Sequence, residues 1–208
     1  MRKEIIKGLF DIGAIKIDTE KHFTWSSGIE SPMYMNIRLS LSHDNIRRMI
    51  CNSYVNAILN NMNHVQCIAG VATGAISQGT LVADRLGLPF VYVRDKNKGH
   101  GLENILEGQL PSYQNPKVVI VEDVISTGES AIRAANTLKK MGADVIGVIS
   151  TFCYGFDSVL SRFTSNATLL FTLTDFKYFS FLSCQEGYVT KSECEYLLNW
   201  FKKTNNSM

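Results

Sequence analysis

The chain contains no run of about 18 apolar residues, so no segment reads as a membrane-spanning helix. Its amino terminus, Met1-Arg-Lys-Glu-Ile-Ile-Lys, carries an acid and lacks the apolar region of a signal peptide, which makes a cytoplasmic address the expectation. Excess charge of either sign is also missing. Lysine and arginine number 21 against 19 acids, a net charge of +2, so no nucleic-acid or membrane partner is expected and any basic site must be local. The five cysteines, Cys51, Cys67, Cys153, Cys184 and Cys194, are odd in number and include no Cys-x-x-Cys pair. That pattern argues against a zinc ribbon or a disulfide framework and predicts reduced core or surface thiols. Neither Gly-x-x-x-x-Gly-Lys-Ser/Thr nor Gly-x-Gly-x-x-Gly occurs, so two common nucleotide-binding fingerprints are absent. There is no internal repeat and no low-complexity tract.

What is present is enough for one globular domain. At 208 residues and 45% hydrophobic content, the chain can bury a sizeable core. Apolar spacing predicts amphipathic helices over residues 3–13 and 44–61. From there strands at 65–71, 90–94, 118–121 and 145–152 alternate with helices at 75–86 and 131–140. Such βαβ alternation predicts an α/β fold, a parallel twisted sheet flanked by helices. A short apolar strand within 168–173 and a terminal helix around 192–201 follow, with structural roles, and the polar tail 202–208 is expected to fray. Ligands of such sheets sit at the carboxyl ends of strands, so the loops 72–76, 94–109, 122–130 and 152–157 are expected to build one site.

The most informative stretch is Val118-Val-Ile-Val-Glu-Asp-Val-Ile-Ser-Thr-Gly-Glu-Ser130. A β-branched run delivers two acids, Glu122 and Asp123, to a small turn that opens a helix. Val124, Ile125, Ser126, Thr127, Gly128, Glu129 and Ser130 lead into that helix, whose first N–H groups lack intrahelical partners and form a natural anion site. Carboxylates beside it would repel a phosphate, so Glu122 and Asp123 suit sugar hydroxyls. A phosphorylated ribose satisfies both halves.

This segment resembles the ribose-phosphate signature of the type I phosphoribosyltransferases. Three further segments carry the likeness, which runs over roughly residues 20–155. Gly70-Val-Ala-Thr-Gly-Ala-Ile76 is similar to the family's diphosphate loop, implying contacts at Ala72 and Thr73, although Thr-Ala-Gly is the more frequent order. Arg94-Asp-Lys-Asn-Lys-Gly-His-Gly-Leu-Glu-Asn104 resembles the catalytic loop of the orotate branch, in which Arg94, Lys98 and His100 occupy the matching places. Asp95 stands where some members carry a lysine, with Lys96 next. By itself a lysine-rich loop more often means a solvated surface.

Phe23-Thr-Trp-Ser-Ser-Gly-Ile-Glu-Ser-Pro-Met-Tyr-Met-Asn-Ile-Arg38 looks like the orotate branch's hood. It departs at Ser26, where some relatives have lysine, at Glu30, where a cation is common, and at Asn36, where aspartate is common. Phe152-Cys-Tyr-Gly-Phe156 also lacks the arginine that some relatives use after this strand. Orotate's carboxylate must therefore find Ser126, the Ser26-Ser27-Gly28 backbone or Arg38.

The resemblance implies a single domain, with a hood from about 1–40 plus the C-terminal segment and a core of about 43–155. It implies transfer of ribose 5-phosphate from 5-phosphoribosyl 1-diphosphate to orotate, with Lys98, His100 and Asp123 in catalytic roles. Magnesium is implied as cofactor, held mainly by the diphosphate sugar rather than by protein ligands. A homodimer with a shared active site is implied as well. A purine or uracil transferase would need another hood. A nucleic-acid-binding sensor on the same fold would need a basic face or an added module.

Overall fold

The computed structural model describes residues 1–94 and 105–208. Along the chain it contains α1 (Arg2–Asp11), β1 (Ile15–Ile17), β2 (Phe23–Thr24), β3 (Glu30–Ser31), β4 (Met33–Met35), a 3-10 helix (Ile37–Ser42) and α2 (Asp44–Asn61). Next come β5 (Cys67–Val71), α3 (Ile76–Leu86), β6 (Phe90–Val93), β7 (Leu106–Glu107), β8 (Lys117–Ile125) and α4 (Glu129–Lys140). β9 (Asp144–Cys153), α5 (Asp157–Ser165), β10 (Leu170–Asp175), α6 (Phe176–Gln185) and α7 (Lys191–Ser207) complete it.

Six strands form one sheet in the order β10-β9-β8-β5-β6-β7. Every neighbouring pair is parallel except β6 and β7, so the expected parallel sheet carries one short antiparallel edge. Val118, Val119, Ile120 and Val121 of β8 are fully buried, which is why this strand reads as a continuous apolar run rather than an alternating one. α4 packs through Ala131, Ala134, Ala135 and Leu138, a stripe of mostly small residues at helical spacing. The chain passes from β5 outward to β6 on one side and from β8 outward to β9 on the other. The loops following β5 and β8 therefore part in opposite directions and leave a crevice between them.

A small N-terminal hood stands beside the sheet, built from the antiparallel pairs β1–β4 and β2–β3. An aromatic cluster ties it to the C-terminal helices. Trp25 lies 4.2 Å from Tyr154 and 5.8 Å from Trp200 between ring centroids, and Phe201 stacks on Phe176 at 4.4 Å.

Three expectations need correction at this end of the chain. The segment 202–208 does not fray, because α7 continues to Ser207. There Asn205 accepts a hydrogen bond from the Asp157 backbone N–H at 2.8 Å and donates to the Asp157 carboxylate at 2.9 Å, so the polar residues of the tail satisfy the start of α5. α5 and α6 lie where the sequence reading placed no element. The cysteines are not all reduced: Cys184 and Cys194 form a disulfide between the end of α6 and the first turns of α7. The intervening turn brings their Cα atoms to 5.9 Å, a proximity that spacing in sequence does not reveal. Cys51, Cys67 and Cys153 are buried free thiols, and desolvation pushes Cys67 and Cys153 up to about 11, which keeps them protonated and unreactive.

The carboxyl end of β8 has a buried polar support. The Tyr54 hydroxyl of α2 donates to the Glu122 carbonyl oxygen at 2.6 Å and lies 2.7 Å from Thr151 Oγ1. Burial holds this phenol well above its ordinary titration range, so it stays neutral. Tyr54→Phe is expected to lower unfolding free energy by about 1 kcal/mol through loss of the buried contacts its hydroxyl makes with the Glu122 carbonyl and Thr151. Urea denaturation checks this, and an unchanged midpoint would remove Tyr54 from the support of the strand end.

Candidate active site

β8 does not stop before its acids. Glu122 and Asp123 lie within the strand, and Glu122 is 6% exposed. Each carboxylate is oriented by a neighbouring amide: Asp123 N–H donates to Glu122 Oε1 at 2.9 Å, and Val124 N–H donates to Asp123 Oδ1 at 2.8 Å. These short-range bonds orient both acids, and both residues line the crevice.

The loop after β5 approaches from the opposite side. A Cβ added to Gly74 would sit 2.6 Å from Asp123 Cγ, so only a glycine lets this backbone lie against the carboxylate. The Ala72–Thr73 peptide, one residue earlier, is cis. Gly128 closes the other wall. It is the N-cap of α4 at φ 75°, and a Cβ would meet Phe163 Cε2 at 2.9 Å, so glycine is required by both conformation and space.

No side chain caps α4, and its first N–H groups, at Glu129, Ser130 and Ala131, have no intrahelical acceptor. A carboxylate in that turn would ordinarily compete with an incoming anion. Glu129 is instead drawn toward Arg162 at 3.4 Å and Arg133 at 3.9 Å, and Arg133 also donates to Ser130 Oγ at 3.3 Å. Two guanidinium groups thus offset the acid while the backbone donors remain directed at the crevice.

The crevice holds about 650 Å³. Its floor is Val71, Ala72, Thr73 and Gly74 on one side and Glu122, Asp123, Val124, Ile125, Ser126, Thr127, Gly128, Glu129 and Ser130 on the other, with Ala131 and Arg133 beyond. Ser26 and Ser27, from the turn between β2 and β3, and Arg38, from the 3-10 helix, line its mouth. Arg38 is exposed, with Nε 3.4 Å from Asn36 Oδ1.

Not every expected residue joins them. Gly28 sits in the Ser26–Ser27 turn at φ 83° but does not line the crevice. Arg94 pairs with Glu107 at 2.9 Å and faces a smaller adjoining cleft shared with Ser130 and Arg133. Lys96, Lys98 and His100 lie outside the described residues. The loop 152–157 does not contribute to the wall as expected: Tyr154 is 2% exposed beneath Trp25, and Tyr154 and Gly155 border a separate cleft of about 550 Å³ along β10. Burial of its ring against the hood takes that loop out of the crevice.

Sequence reasoning missed Arg133, although its position four residues after Glu129 on a helix start was a usable signal. It also missed Tyr54 and Arg162, which have none, since they reach the site from distant parts of the chain.

Known proteins align with this geometry. The family model described as phosphoribosyl transferase domain matches residues 40–162. An orotate phosphoribosyltransferase of Porphyromonas gingivalis is 42% identical over 200 residues, covering 96% of this chain and 94% of the relative. One from Streptococcus pneumoniae is 40% identical over 203 residues, covering 98% and 95%. The crystal structure of orotate phosphoribosyltransferase from Aeropyrum pernix superposes with a TM-score of 0.76 at 25% identity, over 89% of this chain and 99% of that one. With a crevice built at the sheet's switch point and likeness that extends through the hood to both ends of the chain, the protein belongs to the phosphoribosyltransferase family, in its orotate branch.

Proposed function

We infer that the protein is an enzyme that transfers ribose 5-phosphate from 5-phosphoribosyl 1-diphosphate to orotate, giving orotidine 5′-monophosphate and diphosphate in pyrimidine nucleotide synthesis. The observation that carries this reading is the juxtaposition of two strand-end carboxylates with an uncapped helix N-terminus in one crevice under the hood.

The 5′-phosphate takes the backbone N–H groups from Ser126 to Ser130, where oriented dipoles supply positive potential without a lysine. The ribose hydroxyls then fall to Glu122 and Asp123. Their negative charge favours the positive charge that grows on the sugar as the C1–oxygen bond to diphosphate breaks and the bond from orotate N1 to C1 forms. Departing negative charge is taken by the Ala72–Thr73 loop and by Arg94, Lys96, Lys98 and His100, of which Lys98 and His100 act on the leaving group directly. Release of Arg94 from Glu107 would be part of that engagement. Ser126, the Ser26-Ser27-Gly28 turn and Arg38 are assigned to orotate, with the Arg38 guanidinium suited to meet a carboxylate.

Magnesium fits this site as a substrate-borne ion. Glu122 and Asp123 line the crevice with hard oxygens at the proposed ribose position. When bound, the ion would neutralise diphosphate oxygens, the environment such a hard cation prefers. The protein is proposed to work as a homodimer with a shared active site, a reading drawn from the cationic loop's resemblance, and in the cytoplasm. No helix among the described residues is long and apolar enough to cross a membrane.

Diphosphate release in separate reactions with orotate, uracil, hypoxanthine and adenine tests the assignment. Release with orotate alone is expected, and release with another base would overturn the substrate. Asp123→Asn should leave thermal unfolding unchanged and cut turnover by more than about tenfold, a loss of at least about 1.4 kcal/mol of transition-state stabilisation. Wild-type turnover would remove Asp123 from the chemistry. Gly74→Ala must displace either the loop or Asp123, so kcat/KM for the diphosphate sugar is expected to fall by about tenfold or more. Unaltered kinetics would mean that the close approach is not used.

A further inference from the structure

The two tryptophans of this chain, Trp25 and Trp200, sit together at the junction of the hood and α7. Trp200 Nε1 donates to the Glu30 carbonyl at 2.9 Å, and the Tyr196 hydroxyl lies 2.9 Å from His22 Nε2. Both contacts grip the β2–β3 hairpin, whose turn carries Ser26 and Ser27 to the mouth of the crevice. α7 is therefore the brace against which that turn is held.

Cys194, Leu197 and Trp200 are the buried residues of α7, three apart on one face. Cys194 is bonded to Cys184 at the end of α6, so the disulfide fixes this helix about 9 Å along its axis from the indole that holds the hairpin. A capping box at Thr190 and Glu193 starts the helix but does not attach it to α6. Cys184 is exposed and Cys194 is 8% exposed, so an external thiol approaches the bond from the Cys184 side.

We propose that the Cys184–Cys194 disulfide is a positioning element for the base-binding hood, and that its reduction loosens the grip of the hairpin on orotate while leaving the ribose-phosphate site intact. The proposal rests on the assignment of the Ser26–Ser27 turn to the base. In the exchange, a thiolate of an external dithiol attacks Sγ of Cys184 and Cys194 leaves as a thiolate. The second thiol of the reductant then displaces Cys184, and the products are two protein thiols and the oxidised dithiol. In a reducing compartment such a bond would be transient and redox-sensing rather than permanent.

Full-length protein, air-oxidised or treated with dithiothreitol, decides the matter through thiol titration, tryptophan emission and steady-state kinetics. Titrated after denaturation, oxidised protein should show three thiols and reduced protein two more. Reduction should shift the emission of the Trp25–Trp200 pair and raise the orotate KM by about threefold to tenfold, with the KM for the diphosphate sugar within about twofold of its starting value. Cys184→Ser should match the reduced protein and ignore the dithiol. Unchanged emission after release of two thiols would overturn the brace. Shifted emission with a constant orotate KM, or a parallel loss in every kinetic parameter with falling helicity, would overturn the coupling to base binding. Absence of turnover with orotate in both redox forms would strike the assigned reaction instead, while emission still decides the brace.

Discussion

β5 and β8 lie side by side, yet the chain leaves one toward β6 and the other toward β9. Two parallel neighbours whose exits diverge cannot cover their own carboxyl ends, and the crevice that results is a consequence of chain direction rather than of any single side chain. The rest of the site answers to that constraint. The walls approach only where glycine permits, at Gly74 against Asp123 and at Gly128 against Phe163. Tyr54 supplies a buried hydroxyl to the Glu122 carbonyl at the strand end and ties α2 to it.

Electrostatics divide the crevice without dividing the chain into charged regions. Acids stand at the end of β8 and unpartnered backbone N–H groups at the start of α4, only a few residues apart along one continuous segment. Such proximity would be self-defeating if Glu129 faced inward, because a carboxylate at the helix start would compete for the same N–H groups. Arg162 and Arg133 hold its charge at the rim. An anion placed at this helix start would meet donors that cannot be titrated and an acid whose charge is locally offset.

The hood depends on the other end of the chain. Trp25, Tyr154, Trp200, Phe156 and Phe176 form one aromatic cluster, so the hairpin at the crevice mouth is packed on α6 and α7 rather than on the sheet alone. Large rings with few rotatable bonds make such a contact rigid at low entropic cost. This explains why residues more than a hundred positions apart can act on the same turn. It also explains the position of Tyr154, whose ring serves as a support for the hood and not as a wall of the crevice.

Where local chemistry decides the outcome, the sequence alone was sufficient. The buried run 118–121, the acids that follow it, the helix of small apolar residues after Gly128 and the alternation that makes the sheet all express periodicity or backbone preference within a few residues. α2 was legible over 44–61 for the same reason. The C-terminal region was not. Apolar and polar residues mix there without a clean period, so α6 was invisible, and the polar tail of α7 is helical because Asn205 pairs with Asp157. The Cys184–Cys194 bond, the support from Tyr54, the placement of Arg162 and the exclusion of Tyr154 from the crevice likewise follow from contacts across long stretches of chain. The sequence determined which strand ends in acids and which helix start follows them through a small turn, because those depend on neighbouring residues. Only the tertiary structure decided which distant side chains hold them in place, because that depends on how the layers pack.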